Sequence, residues 1–122
     1  MKARIPASLM PGERAAVEEY IVHIHHLYPD RVLDIVLFGS KARGDDDEES
    51  DIDLFLLLDE EDDVIRSELW RIASDVSLAH DVVLSVRVFG QARWNKSRRI
   101  RLPLYRTVMA DGIPLIPKQI PT

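Results

Sequence analysis

Two aspartates, Asp51 and Asp53, stand one residue apart at the head of the apolar run Leu54–Leu58, and a Gly39-Ser40 pair closes the apolar run before them. Side chains alternate along an extended chain, so the two carboxylates share one face about 6.6 Å apart along the strand. Like charges at that spacing repel, and Asp is a poor strand former. Set at the rim of a core, such a pair suits a hard divalent cation, above all magnesium, which takes oxygen ligands and commonly keeps one or two carboxylates plus substrate phosphates. A strand that turns at Gly-Ser into the start of a helix presents free backbone N–H groups and a hydroxyl, a cradle for an anion such as a triphosphate. Glycine lets the backbone come close to that anion, and Lys41 and Arg43 add positive charge nearby. Strand, phosphate turn, loop and carboxylate pair would set nucleotide phosphates against metal.

Other residues compete for attention. Twelve of the nineteen residues from Asp45 to Asp63 are acidic, and for most of them a solvated loop is the simpler reading. His23, His25 and His26 look like a metal cluster, but on a helix His23 and His26 are neighbours while His25 points elsewhere; exposed histidines are expected. Trp70 sits beside the apolar stripe of its helix and is expected in the core. Base gathers at 91–106, where Arg93, Lys96, Arg98, Arg99, Arg101 and Arg106 meet no acid. That stretch is either a solvated helix face or an anion-binding strip. A net charge of −5 counts against a dedicated nucleic-acid binder.

The elements that position these residues follow from periodicity. Pro11 and Gly12 open a helix whose apolar face is Val17, Tyr20, Ile21, Ile24, Leu27 and Tyr28, and Pro29-Asp30 ends it. Residues 31–38 read as a strand, 40–43 as a short helix, 44–50 as loop and 51–58 as a second strand. Ile65, Leu69, Ile72, Val76 and Ala79 mark a helix of about four turns. Residues 81–89 read as the third strand, with Val82, Leu84, Val86 and Val88 on one face and Asp81, Val83, Ser85 and Arg87 on the other. A helix over 91–100 follows, then another from Pro103 to about Ala110 ended by Gly112, and a short extended tail at 113–116. This order, α-β-(short α)-β-α-β-α-α, describes an α/β fold with a small sheet flanked by helices.

A chain of 122 residues suits a single domain, 1–122, with one modest core. Apolar residues at 46% and charged residues at 30% are the balance of a soluble globular protein. No cysteine is present, which removes disulfides, thiolate zinc sites and cysteine nucleophiles together and fits a cytoplasmic location. No run approaches the roughly 18 apolar residues of a membrane span, and no membrane association is expected.

Gly39-Ser40, ten residues, then Asp51-Ile52-Asp53 resembles the Gly-Ser-x10-Asp-x-Asp signature of the DNA polymerase β-like nucleotidyltransferase superfamily. The fuller stretch FGSKARGDDDEESDIDLFLL is similar to its minimal nucleotidyltransferase (MNT) branch, in which the domain stands almost alone. The resemblance implies a small mixed sheet flanked by helices. It implies transfer of a nucleoside monophosphate from an NTP, with ATP the expected donor, to an acceptor hydroxyl with release of pyrophosphate. Asp51 and Asp53 would then hold two magnesium ions, Gly39 and Ser40 the β- and γ-phosphates, and Arg43 would be a further phosphate contact.

The family usually carries a third carboxylate on the strand after the connecting helix. Here the interior of 82–89 contains no acid. Asp81 is the candidate third catalytic acid, reaching in from the rim; the alternative is that Ser85 occupies that position, so that metal and nucleotide bind while transfer is slow. MNT proteins form prokaryotic two-protein modules with a HEPN-domain partner, often an RNase toxin, neutralised by binding or by addition of AMP. Two readings therefore stand: an enzyme that adenylylates a hydroxyl of a partner protein as antitoxin, and a weak or inactive binding module that masks its partner. A small-molecule acceptor is the weaker third, since those enzymes usually carry a second domain. Homo-oligomerisation is left open.

Overall fold

The computed structural model describes residues 5–45 and 51–117; positions 46–50 of the expected loop lie outside them. The chain runs α1 (Pro11–Leu27), β1 (Val32–Phe38), α2 (Gly39–Arg43), β2 (Ile52–Leu58), α3 (Asp63–His80), β3 (Leu84–Gly90), α4 (Gln91–Arg99), α5 (Pro103–Asp111) and β4 (Ile113–Pro114). Local chemistry sets the ends. Pro11 occupies the first helical turn of α1, and Glu13 Oε1 accepts from the Met10 N–H at 3.0 Å, one of the donors a helix start leaves without an intrahelical partner. Asp62 caps α3 by accepting from the Ile65 N–H at 3.1 Å.

The described residues form one four-stranded sheet in the order β3-β2-β1-β4. β1 pairs antiparallel with β2 and β4, and β2 pairs parallel with β3, so the sheet is mixed as expected. The parallel pair is joined through α3, the crossover that parallel strands require. Alternation gives β2 two faces. Ile52, Leu54, Leu56 and Leu58 pack with α1 and α3 in the main core, beside Tyr20, Ile21, Ile24, Leu69 and Ile72. Phe55 and Leu57 turn the other way, into a smaller cluster with Val36, Phe38, Phe89, Trp94, Leu104 and Val108 under α4 and α5.

Three expectations change. The third strand begins at Leu84 rather than at residue 81. Asp81 caps the C-terminus of α3 in a left-handed conformation, φ 53°, and the Ser77 hydroxyl accepts from the Leu84 N–H at 3.0 Å; closing the helix occupies 81–83. The tail at 113–116 supplies a fourth strand, with Leu115 N–H bonded to Ile35 O at 2.8 Å. Pro114 is tolerated there because β4 is an edge strand. Trp70, expected in the core, is 49% exposed, because Leu69 and Ile72 fill the inward stripe of α3.

Candidate active site

The two candidate motifs meet at one corner of the sheet. Phe38, the last residue of β1, is in register with Asp53 at the start of β2, so the turn that follows β1 lies against the carboxylate pair. Gly39 has φ +75°, and a Cβ at that position would collide with the Asp53 carboxylate. Only glycine supplies both the left-handed backbone and the space. Ser40 opens α2 and is half-buried; Asp53 is half-buried and Asp51 exposed.

The electrostatics around Asp53 favour a nearby cation. Burial holds the Asp53 carboxyl above the ordinary aspartate range, Asp51 raises it further, and Arg87 and Arg43 act in the opposite sense. Among the described residues neither Asp51 nor Asp53 forms an ion pair. The donor set, two carboxylates facing a turn of backbone N–H groups, fits a hard divalent cation that shares its remaining ligands with phosphate and water. No group of three or more metal-ligating side chains occurs among the described residues.

The neighbouring cations differ from their sequence reading. Lys41 does not line the phosphate turn: it is 2% exposed and its Nζ pairs with Glu13 Oε2 in the first turn of α1. Glu13 thus closes the start of α1 with one oxygen and anchors α2 with the other. Nothing local in the sequence links Glu13 to a lysine 28 positions on. Arg43 is near enough to act on Asp53, but its guanidinium donates to Asp45 at 3.1 Å and to Asp111, at the end of α5, at 3.2 Å. Both carboxylates strengthen its hold on its proton.

On β3, Ser85 is in register with Asp53, and Arg87 with Phe55 one step further along. The parallel ladder therefore puts a hydroxyl, then a guanidinium, beside the carboxylate pair. Asp81 stands at the α3 cap, before the ladder begins. His23 and His26 are exposed and His25 half-buried.

Comparison with known proteins agrees with this geometry. Residues 18–106 match the family model of the nucleotidyltransferase domain, and the chain belongs to that family. It is 32% identical over 101 residues to “Putative protein adenylyltransferase MJ0604” of Methanocaldococcus jannaschii, an alignment spanning 83% of this chain and 95% of the relative. A second protein of that organism, MJ0141, bearing the same description, is 35% identical over 74 residues, 60% of this chain and 75% of that one. Among solved structures, a toxin–antitoxin complex with AMP-PNP contains a chain of TM-score 0.55 and 25% identity, covering 84% of this chain and 74% of that one. A “putative nucleotidyltransferase” from Sulfolobus solfataricus superposes with TM-score 0.58 over 95% of this chain and 91% of its own; at 18% identity it speaks for the fold. The chain is a nucleotidyltransferase in family and architecture. No helix among the described residues is long and apolar enough to cross a membrane.

Proposed function

We propose that the protein transfers AMP from magnesium-ATP to a hydroxyl on a partner protein, and that the partner is a toxin of the HEPN class which this modification silences. The observation that carries the reading is the close approach of the Asp53 carboxylate to Gly39, which leaves no room for a Cβ and sets the phosphate turn beside the carboxylate pair. The adenylyltransferase relatives support the donor, and the toxin–antitoxin neighbour supports the kind of partner. Gly39 N–H and the Ser40 hydroxyl would hold the terminal phosphates. Asp51 and Asp53 would hold magnesium, which when bound supplies charge neutralisation along the phosphates and at the attacking oxygen. Arg87, exposed beside the pair, would meet charge developing on the phosphate.

A second reading has its own support. The position in register with Asp53 carries Ser85 rather than an acid, and the backbone of Asp81 forms the α3 C-cap, before β3 begins. A site without a third carboxylate binds nucleotide yet deprotonates the acceptor poorly, so masking of the partner would carry the function. Labelled ATP, magnesium and a HEPN-domain RNase from the same genome test the two together. Transfer of label by the wild type, reduced about 10²–10⁴-fold by Asp81→Asn, would make Asp81 the general base. Label unchanged by Asp81→Asn and raised by Ser85→Asp would place the acid position at residue 85. RNase silencing by Asp51→Asn without NTP, as complete as with wild type at equal occupancy, would reject adenylylation as the necessary mechanism.

A further inference from the structure

A second cluster of charge without ion pairs, among the described residues, is basic and is carried by α4, α5 and the turn between them. Lys96, Arg98 and Arg99 end α4, Arg101 lies in the turn after it, and Arg106 stands near the start of α5. Among the described residues none of these five forms an ion pair. By contrast Arg31, Arg43, Arg66, Arg71 and Arg93 each bond a carboxylate. Arg98, Arg101 and Arg106 line one open cleft of about 480 Å³ together with Tyr105, Met109 and Ala110.

Helix stability accounts for only part of this charge. Cations in the last turn of α4 favour its dipole, which covers Lys96, Arg98 and Arg99. The other two stand where local physics disfavours them. Arg101 has φ 51°, and the bonds from Leu102 N–H to Ser97 O and from Arg101 N–H to Arg98 O make it the left-handed residue of a helix-ending turn, a position ordinarily filled by glycine. Arg106 sits toward the positive end of α5, whose first turn holds no acid. Three guanidiniums, one of them on a strained backbone, line one concavity whose charge suits an anion. Planar guanidiniums match phosphate oxygens bidentately. Tyr105 adds an aromatic edge and packs against Trp94 with tilted rings at a centroid distance of 5.3 Å.

We propose that this cleft is a second anion site, distinct from the Gly39-Ser40 turn, which takes a short chain of phosphates. The same chemistry has two sources, a free polyphosphate or nucleotide tail and the backbone of a single RNA strand. Trp94 is the reporter, read in a Trp70→Phe background in EDTA at about 0.15 M salt. Tripolyphosphate, a twelve-residue oligoadenylate and poly-L-glutamate are titrated in turn. Saturable binding of tripolyphosphate is expected, weakened about fivefold or more by each of Arg98→Gln, Arg101→Gly and Arg106→Gln. Equal affinity for oligoadenylate and tripolyphosphate would assign a small ligand, and oligoadenylate binding tenfold tighter would assign a strand; both support the site. Arg101→Gly carries the sharpest contrast: it should raise the melting temperature by about 2–5 °C by relieving the left-handed residue, while losing affinity. No binding by the wild type, binding indifferent to the arginines, or poly-L-glutamate binding as tightly as phosphate would overturn the proposal, the last in favour of an acidic protein face.

Discussion

The acidic stretch 51–63 and the basic stretch 93–106 look alike as sequence, each a run of one sign, but the fold treats them oppositely. In the acidic stretch most carboxylates receive a structural partner. Asp59 accepts from Arg31 at 2.7 Å, Asp62 caps α3 and also meets Arg31, and Asp63 pairs with Arg66 at 2.9 Å. Glu61 accepts the Gly90 N–H at 2.8 Å and binds Arg66 and Arg93; partial burial opposes its ionisation, but these donors hold its carboxyl below the usual glutamate range. Only Asp51 and Asp53 stay unpaired. In the basic stretch Arg93 alone is absorbed, by Glu61, the Val88 carbonyl and the Phe89 ring. Charge density therefore marks no site by itself. What marks one is charge the fold could have neutralised and did not, held beside a backbone that can meet a ligand.

The greatest effect should come from erasing the unpaired acids. Asp51→Asn/Asp53→Asn is expected to lower AMP transfer about 10³-fold or more, with magnesium-dependent ATP binding lost in calorimetry, while the fold survives. A double variant that transfers normally would end the contrast between spent and unspent acids. Next is the buried pair under the phosphate turn. Lys41→Met strands Glu13 against the protein and should destabilise by about 3 kcal/mol in urea unfolding. The compensating Glu13→Leu/Lys41→Met pair should recover most of that loss, since well-packed apolar side chains can replace a buried ion pair.

Smaller effects follow at the turn. Ser40→Ala is expected to weaken ATP binding by roughly 1–2 kcal/mol, the scale of a hydrogen bond to a charged group, with an unchanged melting temperature. Gly39→Val should do more damage to binding, because its Cβ displaces Asp53. The least effect is on pH dependence. The raised folded-state carboxyl of Asp53 means that the folded chain binds its proton more readily than the unfolded chain does. Its contribution to stability therefore falls as pH rises through the folded value and is recovered on acidification, the reverse of a salt-bridged aspartate. Asp53→Asn should stabilise the metal-free protein at pH 7 and flatten this part of the stability profile. A variant less stable than wild type at pH 7 would show that Asp53 is structurally paired.

Much of the architecture was legible because it rests on short-range physics. Proline at a first turn, a periodic apolar face and an alternating strand are properties of neighbouring residues, and α1, β1, β2, α4 and α5 fall close to where those patterns put them. The Gly-Ser and Asp-x-Asp motifs were legible for the same reason, since each is local. The third strand was read three residues too early because Asp81-Val82-Val83 satisfies strand alternation and helix closure equally well; the left-handed cap and the Ser77 bond to Leu84 decided it.

What sequence by itself determined is the set of elements, the two motifs and the family they resemble, all set by residues within one turn or one strand of each other. The tertiary structure decided which charges remained free. Lys41 read as positive charge near the phosphate turn, but the fold pairs it with Glu13 of α1. The parallel register, which no local pattern encodes, set Ser85 beside Asp53. The basic run gained a shape only when α4 and α5 folded three of its arginines around one cleft. An ion pair depends on distance in space, and distance between residues far apart in the chain is what folding creates.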